Sequence, residues 1–120
     1  MSSNISPRVQ QQLAMLQQIQ QQLQTIVGQK AQYEMAVKET NRAAEELKEV
    51  ADDAPVYVNV GTVMMQKGKE KVLAELQEKA ETLGLRIASL EKQEKVMQTK
   101  FEQLQSQVKQ ALGGAPSQAS

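Results

Sequence analysis

The 120-residue sequence contains no cysteine, histidine or tryptophan, and only one phenylalanine and two tyrosines. Without cysteine it has neither a disulfide framework nor a thiolate metal site, and without histidine it lacks the commonest general base and metal ligand. So few aromatic side chains argue against a large compact globular core. The 14 basic and 14 acidic residues cancel, so no excess charge indicates nucleic acid or an anionic membrane as a partner.

Long apolar runs and catalytic motifs are also missing. No stretch approaches the roughly 20 apolar residues of a membrane span, and the N-terminus lacks the apolar core of a signal peptide. There is no nucleophile–base pair and no phosphate-binding glycine loop, and the adjacent Asp52 and Asp53 are typical of a turn rather than of metal ligands. We therefore expect a cytoplasmic protein that is not an enzyme, with no metal, no cofactor and no binding to nucleic acid or membranes.

Heptad patterning dominates what the sequence does contain. Ser6 and Pro7 are typical of a helix start, and no further proline occurs before Pro55. Two apolar stripes with a period of 3.5 residues predict one coiled-coil seam in each of two helices. The first stripe consists of Val9, Leu16, Leu23, Lys30, Val37, Ala44 and Ala51 with Gln12, Ile19, Ile26, Tyr33, Thr40 and Leu47. The second consists of Leu73, Ala80, Ile87, Glu94, Phe101 and Val108 with Leu76, Leu83, Leu90, Met97, Leu104 and Ala111.

The two stripes have matching lengths, so the simplest fold is an antiparallel helical hairpin. A register in which facing residue numbers sum to 120, as for Leu23 and Met97, pairs the stripes nearly end to end; sums of 113 or 127 also fit the period. The helical rise predicts an arm about 60 Å long. Two polar seam residues, Lys30 and Glu94, fall in adjacent layers, where they either form a pair that fixes the register or extend separately to water.

Between the helices, the segment APVYVNVGTVMMQKGK has a different pattern. Four valines within eight residues, divided by Gly61, predict two β-strands, Val56–Val60 and Thr62–Gln66. The turn type stays open, because Val60-Gly61 is not the Asn-Gly pair typical of a primed turn. Alternation places Val56, Val58, Val63 and Met65 on one face and Tyr57 and Met64 on the other.

An isolated two-stranded hairpin is marginal in water and has two unpaired edges that favour another strand. The rest of the sequence predicts no further strand, so we expect hairpins from several chains to assemble. The residues expected to carry this oligomerisation are Val56, Tyr57, Val58, Val60, Val63, Met64 and Met65.

The hairpin segment, followed by ELQEKAETLGLRIASLEKQE from Glu75 onward, resembles the prefoldin beta subunits of the archaeal type. The likeness covers about residues 8–112, and its most particular features are VY, VGTVMMQ and ELQEK. It implies a mainly α fold, with a long antiparallel coiled-coil hairpin of helices, a short β-hairpin between them, and β-hairpins that close into a barrel platform. It also implies a hetero-hexamer of two alpha and four beta subunits that captures unfolded proteins without ATP and delivers them to a cytosolic group II chaperonin.

Together these patterns define the expected organisation of the chain. A prefoldin-like domain spans residues 6–112, between a flexible tail at 1–5 and a disordered tail at 113–120. Within the domain we expect a helix over 7–52, a β-hairpin over 55–67 and a helix over 69–112.

The free tip of the predicted arm contains both chain ends and is almost uncharged. Residues 1–29 contain only Arg8 and residues 103–120 only Lys109, whereas the other 26 charged residues lie in the 73 positions between. Because the end of a two-stranded coil frays, apolar residues there are candidates for contact with unfolded proteins. The candidates are Ile5, Val9, Leu13, Val108, Ala111 and Leu112. The alternative is a structural coiled-coil spacer or adaptor without client binding, which requires neither an uncharged tip nor a β-platform.

Overall fold

The structure, a computed structural model, describes residues 5–113. Two long helices flank a two-stranded antiparallel sheet in the order α1 (Pro7–Lys48), β1 (Val56–Val60), β2 (Val63–Lys67) and α2 (Lys69–Gly113). This is the mainly α architecture that the heptads and the valine-rich segment predict. Of the two predicted tails, residues 1–4 and 114–120 lie outside the described residues, and Gly113 is the last residue of α2.

The chain divides into two compact units. The hairpin unit, Lys30–Ser89, contains the second part of α1, both strands and the first part of α2. The terminal unit contains the chain up to Gln29 and from Leu90 onward. In each unit a segment of α1 lies beside a segment of α2, so each has its own share of the seam.

The start of α1 is set by a serine cap. The backbone N–H of Val9 donates to Oγ of Ser6 at 3.2 Å, and that of Gln10 donates to the carbonyl oxygen of Ser6 at 3.0 Å. Pro7 is the first helical residue, where its missing N–H costs nothing and its fixed φ suits the helix. Ser6 therefore caps α1 through its side-chain hydrogen bond, as the Ser6-Pro7 sequence predicts.

The end of α1 differs from the prediction. The apolar stripe continues to Ala51 and gives an expected end at residue 52, but the helix ends at Lys48. The N–H groups of Glu49 and Val50 bond to carbonyl oxygens three residues back, both at 3.1 Å, so the last turn tightens. Ala51 is consequently exposed. The expected boundary is wrong because the heptad period does not show where backbone N–H groups change from bonding four residues back to bonding three residues back.

The core of the chain is the predicted seam. Among the described residues, the buried hydrophobic side chains are Val9, Ile19, Ile26, Val72, Leu83, Leu90 and Val108. All except Val72 occupy predicted seam positions. Thr40, another seam residue, is also buried, and its hydroxyl donates to the carbonyl oxygen of Ala36 at 2.7 Å. Because this hydroxyl is satisfied within its own helix, its burial carries little cost.

Contacts inside each unit agree with the predicted register. In the hairpin unit, Cζ of Arg86 lies 5.8 Å from the ring centroid of Tyr33, and their residue numbers sum to 119. If facing numbers summed to 113 or 127, residue 27 or residue 41 would lie opposite Arg86 in place of Tyr33. In the terminal unit, Ile26 and Met97 line the same groove. In the hairpin unit the helix segments therefore run antiparallel with facing numbers that sum close to 120. In the terminal unit the shared groove shows that the two helices lie side by side, and its exact register stays a prediction.

The β-hairpin is closed by a two-residue turn. The strands pair from Val56 opposite Lys67 to Val60 opposite Val63, and Gly61 and Thr62 connect them. Gly61 has a φ of 64°, the positive value that a primed turn requires at its first central residue. The second strand thus begins one residue later than predicted. The turn type was ambiguous in sequence because the glycine is the first central residue, not the second.

Candidate functional site

The β-hairpin presents two faces of different chemistry. Directly opposed residues of an antiparallel pair point to the same side of the sheet. One face carries Val56, Val58, Val60, Val63, Met65 and Lys67, and the other carries Tyr57, Asn59, Met64 and Gln66. The predicted division of the apolar hairpin residues between two faces is confirmed by this pairing. The valine face is the more uniformly apolar of the two.

Most apolar side chains of the hairpin are uncovered. Exposed fractions between 47 and 66% are found for Tyr57, Val60, Val63, Met64 and Met65. Val56 and Val58 are half-buried. In the part of the chain that the structure describes, the sheet has two strands, so each strand has one edge without a neighbour. Adjoining apolar side chains and open strand edges are together typical of an interaction surface.

An ion pair holds the hairpin against α2. Nζ of Lys67 lies 3.0 and 3.1 Å from the two carboxylate oxygens of Glu75. Lys67 belongs to the valine face, so the pair directs the strand-end part of that face towards the first turns of α2. On the same face, Val56, opposite Lys67, is half-buried, whereas Val60 and Val63 beside the turn are exposed.

A lysine joins the helices on either side of the hairpin. Lys69, the first residue of α2, donates from Nζ to the carbonyl oxygens of Lys48 at 3.1 Å and Val50 at 2.7 Å. It also donates to Oδ1 of Asp52 at 3.1 Å. These bonds use all three ammonium protons. They satisfy carbonyl groups that the end of α1 leaves without helical partners, where the helix dipole also favours a cation.

This role of Lys69 was not visible in the sequence. The motif KGKEK indicates only a solvated helix start, and the partners of Lys69 lie 17 to 21 residues away along the chain. The side chain is nevertheless only 11% exposed, whereas its partner Asp52 is 93% exposed. A lysine beside a glycine at a helix start is the only local signal, and it is weak.

The predicted client-binding residues divide into two groups. Ile5, Ala111 and Leu112 are exposed, with 54% of Leu112 accessible, and Leu13 is half-buried. Val9 and Val108 are 7% and 5% exposed. The folded chain therefore does not present these two at its surface, because both occupy seam positions.

Three further apolar side chains of the terminal unit are exposed: Met15, Val27 and Val96. Met15 lies off the predicted seam and has about half of its surface accessible. Its helix segment contains no charged residue from position 9 to position 29. An exposed methionine on an uncharged surface adds a flexible apolar contact to those of Ile5 and Leu112.

Three other features bear on function: metal binding, membrane spans and the two polar seam residues. Among residues 5–113, no group of three or more histidine, cysteine or acidic residues is arranged to hold a metal ion. Within the same residues, neither helix contains a segment that is long and apolar enough to cross a membrane. Lys30 and Glu94 are half-buried and each is engaged in an interaction, and their pairing stays a prediction.

Comparison with known proteins agrees with the fold described above. The sequence matches the prefoldin subunit family over residues 10–115. It is 61% identical over 111 residues to prefoldin subunit beta of Methanospirillum hungatei, covering 92% of both chains. It is 47% identical over 113 residues to prefoldin subunit beta of Methanosarcina acetivorans, covering 94% of this chain and 97% of the other.

The fold is matched as well. The crystal structure of the prefoldin beta subunit from Thermococcus strain KS-1 is similar with a TM-score of 0.84 and 42% sequence identity. The match covers 92% of this chain and 97% of that one. Two long helices with an interposed β-hairpin, and sequence identity along nearly the whole length, lead to one conclusion: the chain belongs to the prefoldin subunit family, with archaeal beta subunits among its relatives.

Proposed function

We propose that this chain is a cytoplasmic subunit of a hetero-hexameric holdase that binds unfolded proteins without ATP and delivers them to a group II chaperonin. Family membership supports a chaperone-type role in general. The observation that carries the more specific proposal lies in the terminal unit, where Ile5, Met15 and Leu112 are exposed. They belong to the segments 1–29 and 103–120, whose only charged residues are Arg8 and Lys109.

Assembly is assigned to the β-hairpin. Its exposed apolar residues and open edges support the joining of hairpins from several subunits into a β-barrel platform. The relatives are named as beta subunits, so the partner proposed here is a prefoldin alpha subunit, in a complex of two alpha and four beta chains. Val58, Val60, Val63 and Met65 contribute the apolar face, and Val56, Tyr57 and Met64 complete the surface.

Client binding is assigned to the terminal unit. Exposed Ile5, Ala111 and Leu112, with half-buried Leu13, provide apolar contacts that are individually weak. Several copies in one complex multiply such contacts through effective concentration. Val9 and Val108 contribute only when the seam near them opens. Since few charges lie nearby, clients of either net charge are accepted.

The test removes apolar surface from the terminal unit of the assembled complex. The Leu13→Ser, Leu112→Ser double variant, combined with an alpha-type subunit, should lose most of its ability to suppress aggregation of a diluted, denatured protein. The matched control is Leu85→Ser, which removes the same chemistry from a leucine with 74% exposure in the hairpin unit. The control should suppress aggregation as the unaltered complex does, and added salt should have little effect on any variant.

Two outcomes count against the proposal. Full suppression by the double variant would show that the terminal unit is not the client surface. No suppression by the unaltered complex would favour the alternative, a structural coiled-coil spacer. Far-UV circular dichroism and light scattering establish that each variant is folded and assembled before the comparison is made.

A further inference from the structure

A groove lined by amide side chains lies between α1 and α2 within the terminal unit. Its volume is about 480 Å³, and we call it the amide groove. It is lined by Gln18, Gln21, Gln22, Thr25, Ile26, Gln29, Gln93 and Met97. Buried Ile26 and half-buried Met97 contribute its apolar part. Five of the eight lining residues are glutamine and none is charged, so the lining offers neutral hydrogen-bonding groups.

The glutamine side chains of this groove have unused hydrogen-bonding capacity. All five are exposed, and within residues 5–113 their amides make no hydrogen bond to the chain. The hydroxyl of Thr25, by contrast, donates to the carbonyl oxygen of Gln21 at 3.1 Å. Each glutamine offers two N–H donors and a carbonyl acceptor. A polypeptide backbone offers the complementary set at every residue, one acceptor and, except at proline, one donor.

The spacing of the glutamines suits an extended chain. Along α1, Gln18 and Gln22 are separated by a rise of about 6 Å, and Gln18 and Gln29 by about 16 Å. Backbone groups on one side of an extended strand recur about every 6.8 Å. Long, flexible glutamine side chains accommodate this small difference. The row of amides therefore matches about five residues of extended polypeptide.

We propose that the amide groove binds extended segments of unfolded polypeptide through their backbone amides, next to the apolar contacts of the terminal unit. This inference rests on the proposed function, because an unfolded client is the ligand. A folded protein has its backbone groups already paired, whereas an unfolded one exposes them. Because glutamine both donates and accepts, recognition does not depend on client sequence or on strand direction.

The first test replaces hydrogen bonding by apolar surface of similar size. The triple variant Gln18→Met, Gln22→Met, Gln29→Met retains helix propensity, since methionine and glutamine rank alike. The probe is a fluorescently labelled, unstructured peptide of alanine, serine and threonine, and its Kd for the assembled complex is measured by anisotropy. Loss of several backbone hydrogen bonds should raise Kd about tenfold. Purely apolar capture predicts an unchanged or lower Kd, because methionine adds apolar surface.

A matched variant controls for general effects of methionine. Gln10→Met, Gln17→Met, Gln24→Met makes the same change at three exposed glutamines of the same helix that do not line the groove. This control should bind the probe as the unaltered complex does. In a second measurement, the same peptide carries N-methyl groups at alternate backbone nitrogens, which removes donors. The unaltered complex should bind it about tenfold more weakly, and the groove variant should show no further loss.

The outcomes separate this inference from the function on which it rests. If the unaltered complex suppresses client aggregation but binds the probe no more tightly than the groove variant does, the amide groove is not a backbone-binding site. Equal binding of the methylated and unmethylated peptides overturns it too, whether or not the triple variant folds. If the unaltered complex neither suppresses aggregation nor binds either peptide, the proposed chaperone function itself fails.

Discussion

The hairpin unit and the terminal unit each contain a segment of α1, and these two segments expose different chemistry. Eight of the 19 residues from 30 to 48 are charged, whereas none of the 21 residues from 9 to 29 is charged. Both segments nevertheless bury the same seam positions, with Thr40 in one unit and Ile19 and Ile26 in the other. Packing along the seam is therefore independent of how the outer faces are charged.

The difference in surface charge between the two segments has little effect on folding stability. The ion pairs of the hairpin unit include Arg42 with Glu46 at 3.3 Å, with 81% and 71% of these side chains exposed. Such pairs contribute little to folding. Charge on the hairpin unit thus serves mainly for solvation, while its absence from residues 9–29 leaves the uncharged surface that the proposed client binding requires.

The largest effect is expected from a charge on the valine face of the hairpin. In the Val58→Asp variant, and separately in Val63→Asp, assembly would bury a carboxylate without a partner, which costs several kcal/mol per copy. Oligomers should be lost in native mass spectrometry, whereas far-UV helicity should remain where the helices fold without assembly. The matched control, Thr62→Asp, places the same charge in the turn, where aspartate is well tolerated, and should assemble normally. Unchanged mass for both valine variants would contradict assembly through this face.

A middle-sized effect is expected from the lysine at the start of α2. Lys69→Met removes three hydrogen bonds and leaves the carbonyl groups of Lys48 and Val50 without this partner. We expect a loss of about 2 kcal/mol, and a fall in Tm on the order of 10 °C at fixed protein concentration. The control Asp52→Asn removes only a partner whose side chain is 93% exposed, so its Tm should change by much less. Equal Tm values for Lys69→Met and the unaltered chain would show that the link is not stabilising.

These residues also show which features sequence alone predicts. Seam burial is local in origin, because a 3.5-residue repeat puts one side of each helix against its partner, and Leu83, Leu90 and Val108 are buried as that repeat requires. Val9 and Val108 are buried by the same repeat, contrary to the expectation that residues near the chain ends are exposed. Leu112 lies off the repeat and is exposed. The heptad is thus a better guide to exposure than distance from the chain end.

Features that depend on distant residues were not predictable. The end of α1 at Lys48 and the three bonds of Lys69 involve groups separated by many residues, and no short motif encodes them. The amide groove was missed for a similar reason. Its glutamines are conspicuous in sequence, but only the register of α1 against α2 determines which of them lie beside Gln93 and Met97.

The smallest effect is expected from exchanging charge for amide on the outer helix faces. Arg42→Gln with Glu46→Gln removes an exposed pair from the hairpin unit, and Gln20→Glu with Gln24→Lys adds one to the terminal unit, at glutamines outside the amide groove. Helical pairs four residues apart contribute about 0.3–0.5 kcal/mol, so Tm should change by no more than about 4 °C in either variant. The changes should have opposite signs and diminish at high salt, because ions screen exposed charges. A large, salt-sensitive fall in Tm for the first variant would mean that the charged faces stabilise the hairpin unit after all.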